Sequence, residues 1–424
     1  MRLPYPAAGL AGVIRRLLFA LAAFVLTDAA AAHVLVRMRP DIDMPVAERQ
    51  RIARLEQDAA ERRYRIESAL YDHDLARQYD GIAFWGPLRY RVITDSLGFK
   101  DASPRVVPLK ATTRRVLLLG DSFTEGLGLS YQESYAGRIA ERLHREHVEV
   151  VNGAVTSYSP AIYYAKTRYL LEDAGLQLSD VVVFIDISDA EDEARFYDLH
   201  ADGRVTRMVD QHPGRGPEFE TALDGFPPVP APSTLAADGH SSRSVETPVQ
   251  PASVSPRSDV HPSRVLSALT RRSVVLRLLA NLQERRHAPP LPYPQGNPRR
   301  ALWTVDERDY EAFGRTGLEL GSRHMDRLVD LLRRHAIPLT VAVYPWPEQL
   351  RYDSADSIQV RYWRHWAEQR SVRFVNLFSP LFQSADRAAT IRRFYIPGDV
   401  HFNRDGSTLV ATQFLAQWSE SVAP

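Results

Sequence analysis

Five short apolar runs, separated by segments with helical periodicity, constrain the fold of this chain more than any other feature. Short apolar runs are typical of strands that are buried on both faces. Between them, apolar residues recur every four positions, as at Tyr135, Ile139 and Leu143, which indicates amphipathic helices. Strands that alternate with helices form parallel sheets covered on both faces. We therefore predict a flavodoxin-like, three-layer α/β/α domain around a five-stranded parallel sheet. The predicted strands are Val116–Leu119, Val148–Val151, Val181–Asp186, Leu339–Tyr344 and Arg373–Leu377.

The first 40 residues are predicted to lie outside this domain. Arg15 and Arg16 precede an apolar run that continues to Val36, interrupted by Asp28. About 20 such residues can cross a bilayer as a helix, and the arginines would hold the N-terminus in the cytoplasm. We favour a retained single-pass anchor in the inner membrane, with the domain facing the periplasm, because Asp28 lies towards the outer end. The alternative is a signal peptide cleaved after Ala30–Ala32, which would release a periplasmic or secreted protein.

Residues 41–81 are rich in charged side chains with scattered apolar ones, which favours a helical juxtamembrane segment. Within it, Tyr71–Leu75 holds one histidine and two aspartates. A metal site there is the alternative, but we interpret these residues as surface polar groups. The main domain is predicted to comprise residues 82–424.

A proline-rich insertion interrupts that domain at about residues 201–262. Ten of the 29 prolines lie between Gln211 and Pro262, together with many Ser, Ala and Gly residues. Such a segment buries too little apolar surface to offset the entropy of ordering it. We interpret it as a flexible spacer, with a lid over the site as the alternative. A helix from about Ser263 to Arg286 is predicted to follow.

The composition excludes several classes of function. The formal net charge of +1 gives no reason to expect a nucleic-acid partner. The absence of cysteine excludes disulfides, thiolate catalysis and cysteine-bound metals. Asp186–Glu193 holds five carboxylates but lacks the spacing of a calcium loop, and the dipole of a helix beginning there accounts for them. We therefore predict neither a metal nor a cofactor, and the sequence leaves the oligomeric state open.

Two separate motifs carry the residues suited to chemistry. Gly120-Asp121-Ser122 follows the first predicted strand, and Gly126 closes the turn. Ser122 is thereby placed at the carboxyl edge of the sheet, where open α/β sheets bind ligands. Asp399 and His401 are two residues apart, so an extended backbone would bring both side chains to one side. Asp399 could then fix the tautomer of His401 and leave Nε2 for the Ser122 hydroxyl, as in nucleophilic hydrolases and acyltransferases.

These motifs resemble those of the SGNH (GDSL-type) hydrolase superfamily. Gly120-Asp121-Ser122 with Gly126 is similar to its first block, and Asp399 with His401 is similar to its last block. The resemblance covers about residues 85–200 and 300–420, and it implies a nucleophilic Ser122, a general base at His401 and an orienting Asp399. The Asp-x-His spacing, in place of the common Asp-x-x-His, resembles the bacterial cell-envelope acetylesterase and O-acetyltransferase branches.

The same resemblance implies an oxyanion hole with contributions from two further blocks. The second block supplies a backbone N–H, here from Gly153 or Ala154, and the usual register points to Ala154. The third block normally supplies an asparagine, and Ser188 stands in its place. Loss of one oxyanion donor typically costs about 2.7–4 kcal/mol of transition-state stabilisation. Either Ser188 or another group compensates, or the enzyme is slow. Asp121, Gly126 and the neighbouring Asp189 are predicted to support the active-site loops.

The sequence therefore predicts an exported serine esterase or acyltransferase that forms an acyl-enzyme on Ser122. The substrate would be an acylated carbohydrate or another small ester, and O-acetyl groups of a cell-envelope or exported polysaccharide are the first choice. Hydrolysis and transfer are not separated by the sequence. Tyr344 and Trp346, after the fourth strand, either stack on a sugar or simply pack. The alternative is a non-catalytic envelope protein that uses this fold to bind glycan or to form a scaffold.

Overall fold

The computed structural model describes residues 7–39, 42, 44–208, 273–287, 293 and 298–420. Contacts within the chain divide it into two compact units. The first comprises Met1–Leu55 with Pro230–Pro290, and the second comprises Glu56–Val229 with Leu291–Pro424. The second unit contains all the predicted strands and begins before residue 82, where the sequence places the start of the main domain.

All five predicted strands are present, with ends that differ from the prediction by at most two residues. Within the described residues, six further strands form three hairpins, two ahead of the first predicted strand and one between the third and the fourth. Numbered along the chain, the strands are β1 (Arg65–Ser68), β2 (Asp72–Leu75), β3 (Asp80–Trp85), β4 (Leu88–Ile93), β5 (Arg114–Leu119), β6 (Val148–Asn152), β7 (Asp180–Ile185), β8 (Tyr197–Leu199), β9 (Val205–Arg207), β10 (Leu339–Val343) and β11 (Arg373–Asn376).

The helices alternate with the strands of the sheet, as the periodicity predicts. A helix is present in each place where the sequence shows an apolar stripe, although residues 263–272 of the predicted helix before Arg286 lie outside the described residues. The helices are α1 (Ala7–Met38), α2 (Val46–Tyr64), α3 (Ser122–Glu125), α4 (Tyr135–His144), α5 (Pro160–Arg168), α6 (Asp189–Arg195), α7 (Val274–His287), α8 (Glu307–Asp309), α9 (Arg315–Arg334), α10 (Pro347–Tyr352), α11 (Ile358–Arg370), α12 (Phe378–Leu381), α13 (Arg387–Phe394) and α14 (Arg404–Glu420).

The central sheet has the strand order β11-β10-β7-β5-β6, and every neighbouring pair is parallel. The chain goes from β5 to one side for β6 and then crosses to the other side for β7. Loops that follow β5 and β7 therefore leave in opposite directions and open a crevice at the carboxyl ends of these strands. This order is flavodoxin-like, as predicted, and it places the end of β5 at the crevice.

Helices cover both faces of the sheet. Phe184 of β7 packs against Tyr135 of α4 and Phe414 of α14, with ring centroids 5.0 and 5.1 Å away. The next residue, Ile185, lines a small cavity with Leu318 of α9. Because successive strand side chains point to opposite faces, α4 and α14 form one layer and α9 belongs to the other. The three-layer α/β/α prediction is confirmed.

The prediction of helix through residues 41–81 is wrong after Tyr64. There the chain forms the antiparallel pair β1–β2 and then the pair β3–β4. Moreover, His73 and Asp74, which we interpreted as surface groups, are 2% and 6% exposed. Asp74 Oδ1 accepts a hydrogen bond from Nζ of Lys166 at 2.7 Å. The sequence could not reveal this burial because the partner comes from a distant helix.

Most of the predicted insertion at residues 201–262 lies outside the described residues. Its described beginning contains β9, which pairs with β8 in an antiparallel hairpin. The predictions of a spacer or a lid concern the remaining part and stay predictions.

In the first unit, α1 packs against α7. Gly12–Met38 is a stretch long and apolar enough to cross a membrane. Asp28, within that stretch, accepts hydrogen bonds from Ser273 Oγ at 2.6 Å and from the backbone N–H groups of Val274 and Val275 at 2.7 and 3.2 Å. The carboxylate therefore satisfies donors at the start of α7 that have no partner inside that helix.

Candidate active site

The turn after β5 presents Ser122 at the crevice. Asp121 is the N-cap of α3 and accepts a hydrogen bond from the N–H of Phe123 at 3.1 Å. Gly126 ends this one-turn helix in the left-handed conformation, with φ of 82°. A side chain at Gly126 would be strained by that φ and would bring its Cβ within 2.6 Å of Ser134. Both residues therefore lie where the sequence predicts supporting roles.

Ser122, His401 and Asp399 are joined by a continuous chain of hydrogen bonds. Ser122 Oγ lies 2.8 Å from Nε2 of His401, and Nδ1 of His401 lies 2.8 Å from Oδ2 of Asp399. With a neutral imidazole, Ser122 donates to Nε2 and Nδ1–H donates to the carboxylate. Ser122 and the Asp399–His401 pair, which are far apart in sequence, are thus brought into the geometry of a nucleophile, a base and an orienting acid.

The carboxylate of Asp399 and a protonated His401 stabilise each other. Burial by itself would lower the pKa of His401. The charge of Asp399, its hydrogen bond to Nδ1 and the charges of Asp121 and Asp186 together outweigh burial and raise the pKa above its ordinary value. Burial acts to raise the pKa of Asp399, whereas His401 and a donor from Trp85 oppose burial and hold the pKa below its ordinary value. Asp399 is therefore ionised near neutral pH and stabilises an imidazolium on His401.

Trp85 at the end of β3 is a site residue that the sequence analysis missed. Its Nε1–H donates to Oδ2 of Asp399 at 2.7 Å, and its ring stands at 88° to the imidazole of His401 with centroids 5.2 Å apart. Phe123 contacts the same imidazole, with centroids 4.7 Å apart. These contacts fix the orientation of both the acid and the base. No motif marks Trp85, because its partner lies more than three hundred residues away.

Replacing Trp85 by phenylalanine should reduce kcat/KM for an ester substrate about tenfold, because it keeps an aromatic ring but removes a hydrogen bond to a charged group. Asp399 then retains more negative charge, so the pKa of His401 should rise and the acid limb of the pH profile should move to higher pH. Steady-state kinetics across pH measure both effects.

Trp366→Phe is the matched control, since Nε1 of Trp366 also donates to an aspartate, Asp326, at 2.9 Å, but on the α9–α11 surface. This variant should leave the kinetics unchanged. An unaltered pH profile in Trp85→Phe would show that Trp85 does not position the acid.

Two of the predicted oxyanion donors are engaged elsewhere. The N–H of Gly153 donates to the carbonyl of Leu118 at 2.9 Å and extends the sheet ladder between β5 and β6. The N–H and the hydroxyl of Ser188 both donate to Oδ1 of Asp186, at 2.7 and 2.6 Å. The sequence did not predict these bonds because register and loop geometry decide them. Ala154 differs, since its N–H makes only a long contact of 3.3 Å with Oδ1 of Asn152.

Of the two alternatives for Tyr344 and Trp346, stacking on a sugar is not supported by their positions. Both are buried, and each donates to a carboxylate beside the site. The hydroxyl of Tyr344 donates to Oδ1 of Asp121 at 3.1 Å, and Nε1 of Trp346 donates to Oδ2 of Asp186 at 2.8 Å. These aromatic residues pack and position acidic groups instead of forming a sugar platform.

A buried ion pair anchors the turn that carries Ser122. Glu125, in the same helical turn, accepts two hydrogen bonds from the guanidinium of Arg65 at 2.9 and 3.0 Å. It also accepts from the N–H and the hydroxyl of Thr156, both at 2.7 Å. Glu125 therefore connects β1, the turn after β5 and the loop after β6. No motif marks this network, since its members come from three distant segments.

Asp189, the third predicted supporting residue, lies with Asp121 and Asp186. One carboxylate oxygen of each lies within 4.8 Å of the other two. Carboxylate oxygens are suitable ligands for a hard divalent cation, so among the described residues this group is a candidate for holding one.

Comparisons with known proteins return similar solved structures only. No family model and no curated protein matches the chain. Similar structures include esterase EstA from Pseudoalteromonas sp., in a structure inhibited by monoethylphosphonate, at 10% identity and a TM-score of 0.33, covering 73% of this chain and 98% of that one. A putative lipolytic protein of the G-D-S-L family from Desulfitobacterium hafniense DCB-2 is 11% identical with a TM-score of 0.33, covering 72% and 98%.

The esterase AlinE4, which is described as a member of the SGNH-hydrolase family, is 12% identical with a TM-score of 0.30, covering 74% of this chain and 100% of that one. The G-D-S-L and SGNH-hydrolase families that two of these descriptions name are those that the serine and histidine motifs resemble. At such identities and TM-scores the likeness gives no argument about activity, which has to come from the geometry of Ser122, His401 and Asp399.

Proposed function

We propose that this protein is an SGNH-type serine esterase or acyltransferase that forms an acyl-enzyme on Ser122. The observation that carries the proposal is the hydrogen-bonded chain from Ser122 Oγ through His401 to Asp399, with both distances at 2.8 Å. These three side chains lie at the crevice where the strand order reverses. That crevice is the usual ligand position in open α/β sheets.

The reaction begins when Ser122 Oγ attacks the carbonyl carbon of an ester while His401 Nε2 removes the hydroxyl proton. Asp399 stabilises the resulting imidazolium. The tetrahedral oxyanion is held by the backbone N–H groups of Ser122 and Ala154, since Gly153 and Ser188 donate elsewhere. Collapse expels the alcohol, which takes its proton from His401 and leaves an acyl group on Ser122.

The second half-reaction decides between hydrolase and transferase. Water or a sugar hydroxyl loses its proton to His401, attacks the acyl carbon and releases Ser122. An acetyl group is the acyl group that we favour, because Ser122 is only 8% exposed and a small group reaches it most easily. An O-acetylated envelope or exported polysaccharide is the substrate that follows from the Asp-x-His resemblance together with the apolar N-terminal helix.

We also propose that α1 is retained and anchors the protein in the inner membrane, with the second unit in the periplasm. Cleavage after Ala30–Ala32 would remove Asp28, which accepts hydrogen bonds from the start of α7. N-terminal sequencing of the mature protein from fractionated cells tests this. A mature chain beginning near residue 33 would overturn the anchor, while leaving the enzymatic proposal intact.

A serine-directed fluorophosphonate tests the enzymatic proposal. We expect covalent labelling of the wild-type protein at Ser122, located by peptide mass spectrometry, and release of acetate from an acetyl ester. Adding an oligosaccharide acceptor then separates transfer from hydrolysis by the appearance of acetylated sugar. Absence of both labelling and acetate release, under conditions that label a known serine esterase, would overturn the proposal.

One observation favours a second candidate, a non-catalytic envelope protein that binds glycan or forms a scaffold. The hydroxyl of Ser188, expected at the place of an oxyanion asparagine, donates to Asp186 instead. Glycan binding without labelling at Ser122 would support this candidate over the enzyme.

A further inference from the structure

Three buried aspartates lie together at the carboxyl ends of β5 and β7. Asp121 directly precedes Ser122, Asp186 directly follows β7, and Asp189 begins α6. One oxygen of each carboxyl group lies within 4.8 Å of the others, and each residue is only 2% exposed. Three ionised carboxylates this close and this far from water would repel each other strongly.

The cations near this cluster are paired with other groups. Arg300 forms ion pairs with Glu191 and Asp192 at 2.9 and 2.5 Å, and His401 pairs with Asp399. Within the described part of the chain, no ion pair reaches Asp121, Asp186 or Asp189. No side-chain cation in direct contact therefore offsets the charge of the cluster, although Arg300 and His401 act on it from a distance.

Two of the three carboxylates are well supplied with hydrogen-bond donors. Asp186 accepts from the N–H and hydroxyl of Ser188 and from Nε1 of Trp346, at 2.6 to 2.8 Å. Asp121 accepts from the N–H of Phe123 and the hydroxyl of Tyr344, both at 3.1 Å. Ser122 Oγ also lies 3.2 Å from Oδ2 of Asp121. Donors of this kind stabilise the ionised form of a carboxyl group.

Asp189 is different. Its Oδ2 has one donor, the hydroxyl of Tyr163 at 3.0 Å, whereas its Oδ1 has no partner among the described residues although it is fully enclosed. A buried carboxylate oxygen without a donor is costly, but a protonated one becomes a donor itself. Carboxyl oxygens of Asp121 and Asp186 lie within 4.8 Å of one oxygen of Asp189. A proton on Asp189 would reduce the repulsion and would turn an oxygen that lacks a donor into a donor.

We propose that Asp189 is the protonated member of this cluster and donates a hydrogen bond to the facing carboxylates of Asp121 and Asp186. In this role Asp189 is a positioning residue. It ties the loop after β7 to the Asp121-Ser122 turn, and thus holds the nucleophile against His401. That consequence for Ser122 rests on the proposed function, whereas the protonation of Asp189 does not.

The electrostatic environment agrees with this placement of the proton. Burial, followed by the charges of Asp186, Asp121 and the neighbouring Asp192, raises the pKa of Asp189 well above its ordinary value, and only Tyr163 opposes it by a hydrogen bond. Burial and Asp186 raise the pKa of Asp121 as well. For Asp121, however, the N–H of Phe123, the charge of His401 and the hydroxyl of Tyr344 all oppose the rise. Both pKa values are raised well above the ordinary value, so it is Oδ1 of Asp189, unpartnered among the described residues, that places the shared proton there.

A divalent cation would be the alternative way to reduce the charge. The hydrogen-bond pattern favours the proton, because the N–H and O–H groups around Asp121 and Asp186 already direct their hydrogens at the carboxylate oxygens. The two alternatives give opposite results for an asparagine at position 189. Asparagine can donate like a protonated carboxyl group, but it is a poor substitute for a metal-binding carboxylate.

Asp189→Asn in the full chain tests the proposal by unfolding measurements, independently of catalysis. A carboxyl group whose folded pKa is raised loses stabilising free energy as pH rises from its unfolded pKa of about 3.9 towards the folded pKa. Asparagine does not titrate. We therefore expect Asp189→Asn to match the wild-type Tm at acidic pH and to exceed it increasingly as pH rises. Asp198→Asn, at an exposed aspartate of β8, is the control and should show no such trend.

Activity and metal content complete the design. If the protein has esterase activity, Asp189→Asn should keep it near the wild-type level at neutral pH, whereas Asp189→Ala should lose it because it offers no donor. A Tm below that of the wild type in Asp189→Asn at every pH, with no upward trend, would overturn the proposal. Stoichiometric bound metal that disappears in this variant would overturn it in favour of a cation site. If no variant or wild-type protein is active, the Tm series still decides the protonation.

Discussion

Replacing Ser122 by alanine is expected to abolish ester hydrolysis, with a reduction in kcat of about 10⁶-fold. In the proposed mechanism the hydroxyl oxygen of Ser122 is the nucleophile, so its removal takes away the atom that forms the acyl-enzyme. The fold should persist, because Ser122 makes side-chain hydrogen bonds only with His401 and Asp121 among the described residues. Steady-state kinetics with an acetyl ester and fluorophosphonate labelling measure the loss of reactivity. Thermal unfolding measures whether the fold persists.

Ser188→Ala is the informative control for this variant. Loss of a true oxyanion donor would lower kcat by about 10²–10³-fold. Since the hydroxyl of Ser188 donates to Asp186 and not towards Ser122, we expect a much smaller loss. Residual wild-type-like turnover in Ser122→Ala would contradict the role of Ser122, and a loss of 10²-fold or more in Ser188→Ala would restore Ser188 to the oxyanion hole.

Replacing Asp399 by asparagine should reduce kcat by about 10⁴-fold, because an amide N–H favours the wrong tautomer of His401 and no longer stabilises the imidazolium. The pH dependence should also change in a defined direction. In the wild type, Asp399 raises the pKa of His401 above its ordinary value of about 6.5 despite burial. The base is active when neutral, so the acid limb of kcat/KM should lie above that pH. In Asp399→Asn burial still lowers the pKa and the charges of Asp121 and Asp186 still raise it, but the larger contribution of Asp399 is gone, so the limb should move to lower pH.

The raised pKa of His401 affects stability and activity in opposite directions as pH rises. The raised pKa of His401 means that its pairing with Asp399 stabilises the fold at acidic pH and that this contribution is lost as pH rises through the folded pKa. The lowered pKa of Asp399 gives a contribution that is present above its unfolded pKa and lost as pH falls through the folded pKa. Measuring activity and Tm on the same pH series separates the effect on catalysis from the effect on stability. An acid limb that does not move in Asp399→Asn would show that Asp399 does not control His401.

Most of the fold could be predicted because its signals are local. A fully buried strand needs a continuous apolar run, and a helix on a sheet needs an apolar stripe, so both leave a pattern in neighbouring residues. The hairpins β1–β2 and β3–β4 were missed for the same reason. Their charged residues resemble a solvated segment, and their burial depends on partners such as Lys166 in a distant helix.

The residues of the candidate active site could be predicted only in part. Ser122, Asp399 and His401 stand in short motifs that can be found in the sequence, and the structure brings them together. Trp85 and Glu125 stand in no motif, and their contributions arise from contacts with residues tens to hundreds of positions away. Gly153 and Ser188 were chosen by their place in a motif, and their hydrogen bonds to Leu118 and Asp186 remove them from that role.

The sequence by itself determined the strands and helices, the parallel arrangement of the main sheet, and which serine, histidine and aspartate are suited to form an acyl-enzyme. These properties depend on the chemical type and spacing of nearby residues. Only the tertiary structure decided which donors remain free to meet an oxyanion, which tryptophan orients the acid, and that three aspartates crowd beside the nucleophile. Hydrogen bonds and charge repulsion depend on distances of a few ångströms between groups that are remote along the chain, and folding alone sets those distances.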